Sequence, residues 1–279
     1  MGRIQFYERP RTLDEAVRIL AEKKGKACVL AGGTSLALRQ PPGVDTFVDI
    51  SRLGLVGMED RGDSIAIKAC TTVAELASLP QSYQLYGGVL ARAAMAVAST
   101  PLRNQITVGG NLVQVMPWSD LPGVMLALNG QIVIQGTTSR IVPLKDFYAT
   151  HPRNSLSAGD LVTEVRIPKP IGRVQSSFVK VGKTVFDYAA LTVTAVAWLS
   201  GNQVRECSVA LGAVRPLPMR VPQAEEEIAG RIPTRDDVIR AAARAAGAVE
   251  PSQDYRYSKD YRRQLIKVWV KRCLHEACS

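Results

Sequence analysis

The residues best placed to do chemistry in this sequence are small and polar. Lys26-Ala27-Cys28-Val29-Leu30 reads as a short buried strand that runs straight into Ala31-Gly32-Gly33-Thr34-Ser35-Leu36. Glycine lets a backbone approach a ligand closely and turn its N–H groups toward it. Such nests of N–H groups hold anions, phosphates above all. Thr34 and Ser35 add hydroxyl donors. The plainer alternative is that Gly32-Gly33 only turns the chain. A second turn of similar make-up, Thr107-Val108-Gly109-Gly110-Asn111-Leu112, follows later, again after an apolar residue. Two such turns would clasp both phosphates of a dinucleotide from opposite sides. Asp120 lies shortly downstream. It either accepts from a ribose or ring N–H, or caps the helix that begins at Leu121-Pro122. Neither GxGxxG nor GxxxxGK[ST] occurs, which excludes a Rossmann fingerprint and a P-loop.

These residues need elements to hold them. Thr12 is a helix N-cap with Glu15 as its box partner, and Leu13, Ala16, Val17 and Leu20 follow at helical spacing. Thr46 to Ile50 is a second strand, so the first fifty or so residues form a βαβ-like unit. Ser64 to Ala69 alternates like a strand, and Thr72 caps a helix through Leu79. Leu90 to Ala98 is an alanine-rich buried helix that Pro101 stops. Leu121 to Leu128 is another helix, and Gln131 to Ile134 is a strand after the Asn129-Gly130 turn. Beyond Pro168-Lys169-Pro170 the character changes. Ser177 to Val181 and Val204 to Leu211 are strands flanking the apolar run Ala189 to Trp198. Leu265, Val268, Trp269, Arg272 and Cys273 place an amphipathic helix near the end. The main boundary falls near residue 170.

Bulk properties narrow the function classes. The 279 residues are 46% hydrophobic and 22% charged, enough for a real core. The net charge is +10, but the cations are dispersed with no run of five, which argues against nucleic-acid binding. Docking to acidic partners or facing a diphosphate fits better. The five cysteines, Cys28, Cys70, Cys207, Cys273 and Cys278, form no CxxC pair, so no disulfide framework, zinc site or iron–sulfur site is indicated. With only His151 and His275, a histidine metal site is not expected either. No metal is therefore assigned to this chain. No apolar leader or membrane-length apolar stretch is visible, so a reducing cytoplasm is the expected compartment.

At the glycine turns the sequence resembles a known family. AGGTSL (Ala31 to Leu36), PLRNQITVGGNL (Pro101 to Leu112) and SDLPGVMLAL (Ser119 to Leu128) look like the FAD-binding medium subunit of the xanthine dehydrogenase and carbon monoxide dehydrogenase molybdenum hydroxylases. VDISRL (Val48 to Leu53), GDLVTEVRIP (Gly159 to Pro168), FVKVGKTVFDYA (Phe178 to Ala189) and SKDYRRQL (Ser258 to Leu265) follow in the family's order. Each motif is weak alone; the ordered set covers nearly the whole chain.

The resemblance implies an α+β chain with the vanillyl-alcohol-oxidase or PCMH-type FAD-binding fold. Two α/β subdomains, 1–55 and 56–170, would bind FAD, and 171–279 would be a C-terminal α+β domain. It implies an oxidoreductase subunit relaying electrons from [2Fe–2S] clusters of a small subunit, themselves fed by molybdopterin on a large subunit, in a dimer of heterotrimers. The acceptor would be NAD⁺ or quinone, with ferredoxin and O₂ also open; the substrate is decided on the large subunit. The alternative is a self-standing FAD-dependent reductase of the same fold. Carried over by position, Val29, Leu30, Ala31, Gly32, Gly33, Thr34, Ser35 and Leu36 would line the diphosphate, and Thr107, Gly109, Gly110 and Asn111 would form a second wall. Asp120 would contact the cofactor, Val162 would lie beside the flavin, and Lys180 near the ring or its phosphate side. Tyr188 would stack on the isoalloxazine; the redox chemistry itself would sit on FAD, with no catalytic side chain. By residue type alone Tyr188 reads as core, and Lys180 as a solvated charge on a strand. Lys183 departs from the family, where many members carry Arg, and Lys is no bidentate substitute. Pro41-Pro42 stiffens the loop after the first glycine turn.

Overall fold

The computed structural model describes residues 4–36, 38 and 40–279. Its helices and strands are mixed, an α+β chain. They pack into two compact units that alternate along the sequence. The first holds the segment ending at Glu75 together with Ser99–Gln114 and Gly130–Ile167; the second holds Leu76–Ala98, Val115–Asn129 and Pro168–Ser279.

In the first unit, β1 (Phe6–Glu8), β2 (Ala27–Leu30) and β3 (Thr46–Asp49) form a parallel sheet ordered β1-β3-β2. The helix Leu13–Glu22 covers it, burying Ala16, Val17 and Leu20 as the 3.6-residue period requires. Thr12 Oγ1 accepts from the Glu15 N–H at 3.2 Å, while the Glu15 carboxylate accepts from the Arg11 N–H at 2.7 Å rather than from Thr12. A second sheet is ordered β4-β5-β8-β6-β7, built from β4 (Met58–Asp60), β5 (Ser64–Lys68), β6 (Gln131–Gln135), β7 (Ser139–Pro143) and β8 (Leu161–Pro168). A register shift at Val133/Ile134 bends β6 against β8. Helix Val73–Ser78 carries a full capping box: Thr72 Oγ1 accepts from the Glu75 N–H, and Glu75 accepts from the Thr72 N–H.

In the second unit, β9 (Arg173–Val181), β10 (Leu191–Ser200), β11 (Gln203–Gly212) and β12 (Met219–Arg220) form an antiparallel sheet ordered β12-β11-β10-β9. The apolar run 189–198 is explained by β10, a central strand buried on both faces. Leu191, Val193, Ala195 and Ala197 pack with helices Arg235–Ala248 and Lys259–Ala277. The alternate residue Thr192 lies beside helix Leu121–Ala127, whose seven residues are all buried.

Two expectations are corrected here. Pro101 does not stop a helix: Val89–Ala96 ends on its own, with Ala98 at a positive φ, and Pro101 opens the next short helix, Thr100–Arg103. The C-terminal helix buries Arg262, Ile266, Val270, Cys273, Leu274 and Ala277, leaving Val268 and Arg272 exposed. The buried stripe is thus rotated from the one expected: Ile266, Val270, Cys273, Leu274 and Ala277 form the apolar row that faces the sheet, and Arg262 at its start is buried with its guanidinium held by Asp254 and the Ser252 carbonyl.

Candidate functional site

The first glycine pair lies at the carboxyl end of β2, the end where ligands bind in open parallel sheets. Gly33 has φ +69°, a left-handed conformation that glycine adopts without strain. At Gly32 the constraint is space: an added Cβ would lie 1.7 Å from the Gln105 carbonyl oxygen. Two backbones meet there, and no side chain fits. The N–H groups of Gly32, Gly33, Thr34 and Ser35, and both hydroxyls, have no partner among the described residues. They are half-buried, so the loop presents unsatisfied donors in a row, which is what an anion site requires. A cleft of about 260 Å³ opens beside Gly32, lined by Ala31, Ser51, Cys70, Thr72, Asn104 and Thr107 among others. Val29 and Leu30 are half-buried in β2, and Leu36 in the loop is half-buried as well.

The second glycine pair is built differently. It is not a turn but the first turn of helix Val108–Gln114. Its amides are spent inside the protein. Val108 N–H donates to Thr71 O and Gly109 N–H to Ala69 O, each at 2.8 Å. Gly110 N–H donates to Thr107 Oγ1 at 3.2 Å, and Asn111 N–H to Thr107 O at 2.9 Å. Gly109 is glycine for packing: a Cβ would sit 2.7 Å from Ala69 Cβ and 2.9 Å from Ala69 O. What this helix start leaves unsatisfied is a side-chain atom, Asn111 Oδ1, buried without a partner. Also in this unit, Val162 is buried in β8 opposite Ile134, next to the register shift.

In the second unit Asp120 sits where a helix cap would, before Leu121–Ala127, yet makes no capping hydrogen bond. Its Oδ2 instead accepts from Lys180 Nζ at 2.8 Å, and Lys180 also donates to Ala96 O at 2.8 Å. Lys180 is therefore an internal partner of the aspartate and not a solvated strand charge. Asp120 Oδ1 is buried without a partner. Burial pushes the Asp120 carboxyl up to about 6, and the Lys180 ammonium pulls it partly back. Tyr188 is not core: its side chain is 53% exposed and its ring stacks on Trp118, with centroids 4.3 Å apart and planes 27° apart. The Arg256 guanidinium lies 5.6 Å from the Tyr188 ring, and Lys183 Nζ 5.8 Å from that of Tyr257. Sequence reasoning singled out neither Trp118 nor Arg256. Both lie far along the chain from Tyr188, and only the fold brings them to it.

Among the described residues no group of three or more His, Cys, Asp or Glu side chains is arranged to hold a metal. None of the described helices is long and apolar enough to cross a membrane.

Comparison with known proteins bears on the whole chain. Residues 2–170 match the family model of the FAD binding domain in molybdopterin dehydrogenase, and residues 177–277 match the CO dehydrogenase flavoprotein C-terminal domain. The carbon monoxide dehydrogenase medium chain of Hydrogenophaga pseudoflava is 29% identical, over 97% of this chain and 96% of its own length. The glyceraldehyde dehydrogenase medium chain of Sulfolobus acidocaldarius is 28% identical, over 97% of each chain. The solved structure of Hydrogenophaga pseudoflava carbon monoxide dehydrogenase lacking the Mo-pyranopterin moiety superposes with a TM-score of 0.92 at 30% identity, covering 99% of this chain and 97% of that one. With a glycine loop of open amides in its N-terminal part and both family models spanning almost its full length, the chain belongs to the FAD-binding, medium-subunit family of molybdenum hydroxylases, oxidoreductases of PCMH-type fold.

Proposed function

We propose that this chain holds FAD and relays electrons from the [2Fe–2S] clusters of a small partner subunit, fed by molybdopterin on a large partner subunit, to an acceptor such as NAD⁺ or quinone. The single observation that carries the reading is the loop after β2, where four consecutive amides lack acceptors among the described residues and Gly32 has no room for a side chain. When bound, FAD supplies a junction between one-electron and two-electron couples.

This chain's own residues bind and orient. The N–H groups of Gly32, Gly33, Thr34 and Ser35 hold the diphosphate, between the end of β2 at Val29-Leu30-Ala31 and Leu36. Thr107, Gly109 and Gly110 fix the start of their helix, so that Asn111 Oδ1 is held ready for a donor of the cofactor. Asp120 Oδ1 is a second such acceptor. With its carboxyl near 6, Asp120 is mostly ionised at neutral pH and takes up a proton at that oxygen in mildly acidic solution. Lys180 holds its other oxygen and keeps it charged. Tyr188 offers an aromatic surface to the planar ring, and Val162 an apolar one.

Subdomains 1–55 and 56–170 and a C-terminal domain 171–279 belong to the same reading, and the gap between the two family models, from 170 to 177, supports the second boundary. So do a dimer of heterotrimers and a cytoplasmic location; relatives named as medium chains support the assembly. The test is an absorbance spectrum and cofactor content of the purified complex. The reading expects one FAD per chain, together with iron and molybdenum on the co-purifying subunits. A chain that purifies alone, colourless, and takes up no FAD would overturn it.

A further inference from the structure

The last helix, Lys259–Ala277, carries six Lys or Arg residues and only two acids, Asp260 and Glu276. Its two halves treat that excess differently. In the first half the cations are neutralised within the fold. Lys259 Nζ and Arg263 Nη2 each lie 2.9 Å from a Glu250 oxygen, Arg263 Nη1 lies 3.1 Å from Asp260, and Arg262 is held by Asp254. On the neighbouring helix, Arg240 and Arg244 are paired with Glu227. From Lys267 onward the pattern stops. Lys267, Lys271 and Arg272 make no ion pair among the described residues. Arg272 has the Trp269 ring, 4.6 Å from its guanidinium. The acid of this half, Glu276, accepts from Ser177 Oγ at 2.6 Å. These cations share a face. Val268, Lys271, Arg272 and His275 fall at i, i+3, i+4 and i+7, all four are exposed, and Lys267 flanks them. Tyr261, half exposed, lies two turns before Val268 on the same side. Arg, Tyr and an apolar contact set among uncompensated positive charge are the make-up of a protein interface whose partner supplies the acids. Cations near a helix C-terminus also favour its dipole, but Lys267 stands well before the last turn, where that effect has faded.

We propose that this face docks an acidic surface of another protein, with Lys267, Lys271 and Arg272 pairing its carboxylates and Val268 packing between them. Other occupants fit less well. A second copy of the chain would set the same cations against one another. A lipid surface needs a broad apolar face, and Val268 and Tyr261 offer little of one. The candidates for the acidic protein are the small and large partner subunits, and that choice of candidates rests on the reading of this chain as one subunit of a larger complex.

The experiment uses the whole complex, built with the wild-type chain, with the reversed variant K267E/K271E/R272E or with the neutral variant K267Q/K271Q/R272Q. It reads subunit dissociation on dilution by mass photometry at about 50 mM and about 500 mM salt, together with FAD content and thermal midpoint. In the wild type, a carbodiimide that joins touching amines and carboxylates maps the contact. The reversed variant is expected to dissociate at about 100-fold higher concentration in low salt, and the gap to wild type should narrow in high salt, where charges are screened. The neutral variant should lose about tenfold, and it decides the matter if the reversed one does not fold. FAD content should hold in both. Lys267 or Lys271 should cross-link to a carboxylate of a partner subunit. A merely structural role would lower the thermal midpoint and leave dissociation and its salt dependence unmoved, which would overturn the proposal. So would cross-links from these lysines only within the chain or to a second copy, or binding to phosphatidylglycerol vesicles that the reversed variant loses while its subunits stay together. A wild-type chain that joins no partner subunit would overturn the reading beneath it instead.

Discussion

The two glycine pairs look alike in sequence and do opposite things. At Gly32-Gly33 the chain leaves a parallel strand and its amides find no acceptor among the described residues. At Gly109-Gly110 the chain enters a helix, and each of the amides from Val108 to Asn111 is satisfied within the protein. The first pair is glycine because another backbone, at Gln105, lies where a side chain would go; the second because Ala69 packs against the helix start. Small-residue signatures therefore report close approach, and only the fate of the N–H groups tells whether a ligand or the protein is what approaches.

The largest effect that sharpens this contrast is expected at Gly32. Gly32→Ala forces a Cβ into the Gln105 carbonyl and moves the loop, so FAD affinity should fall by more than about 100-fold and stability by about 3 kcal/mol, read by FAD titration and chemical unfolding. Undiminished affinity would break the contrast on its open side. Lys180→Met comes next. It leaves a buried carboxylate without its cation, at a cost of about 3–5 kcal/mol near neutral pH.

The sign of the pH dependence follows from Asp120. Its folded carboxyl is raised to about 6, above the ordinary range near 4, so between those values the native state binds more protons than the unfolded one. Its contribution to stability is thus most favourable below pH 4, falls as pH rises from about 4 to 6, and is flat above. In Lys180→Met the carboxyl rises further and the loss should shrink as the pH is lowered, which thermal unfolding across pH 5–8 would read. Main-chain amides do not titrate, so a pH dependence of FAD affinity in this range that disappears in Asp120→Asn belongs to Asp120 and not to the glycine loop.

Gly109→Ala should cost about 2 kcal/mol through the clash with Ala69, yet leave FAD affinity of the folded fraction within about threefold. A hundredfold loss there would show that the second pair also serves the ligand by its backbone. The smallest effect is expected at Asn111. Its Oδ1 is already unsatisfied, so Asn111→Ala should hardly change stability while weakening FAD about tenfold if a cofactor donor reaches that atom.

Elements with a local cause could be read from the sequence. Thr12 and Thr72 cap their helices because a hydroxyl meets an amide three residues on, and the long apolar run became the doubly buried strand β10. The second glycine pair was misread as a turn because nothing in its own residues says that Ala69 and Thr71 will supply acceptors. The stripe of the last helix was misread because two adjacent apolar rows share Cys273, and only the packing shows that Ile266, Val270, Leu274 and Ala277 are buried while Leu265 and Trp269 lie at the edge. Within the candidate site, Asp120 was noticed, but its tie to Lys180 depends on a contact across sixty residues of chain. Trp118 beside Tyr188 was likewise invisible, since stacking leaves no periodic trace.

The central claim, that open amides after β2 recognise a diphosphate, is tested most directly by competition. FAD bound to the wild-type protein is challenged with ADP or with adenosine at matched concentration, and its release is followed by the rise in flavin fluorescence. ADP is expected to displace FAD while adenosine, which carries no phosphate, leaves it in place. Equal displacement by the two, or by neither, would contradict the account.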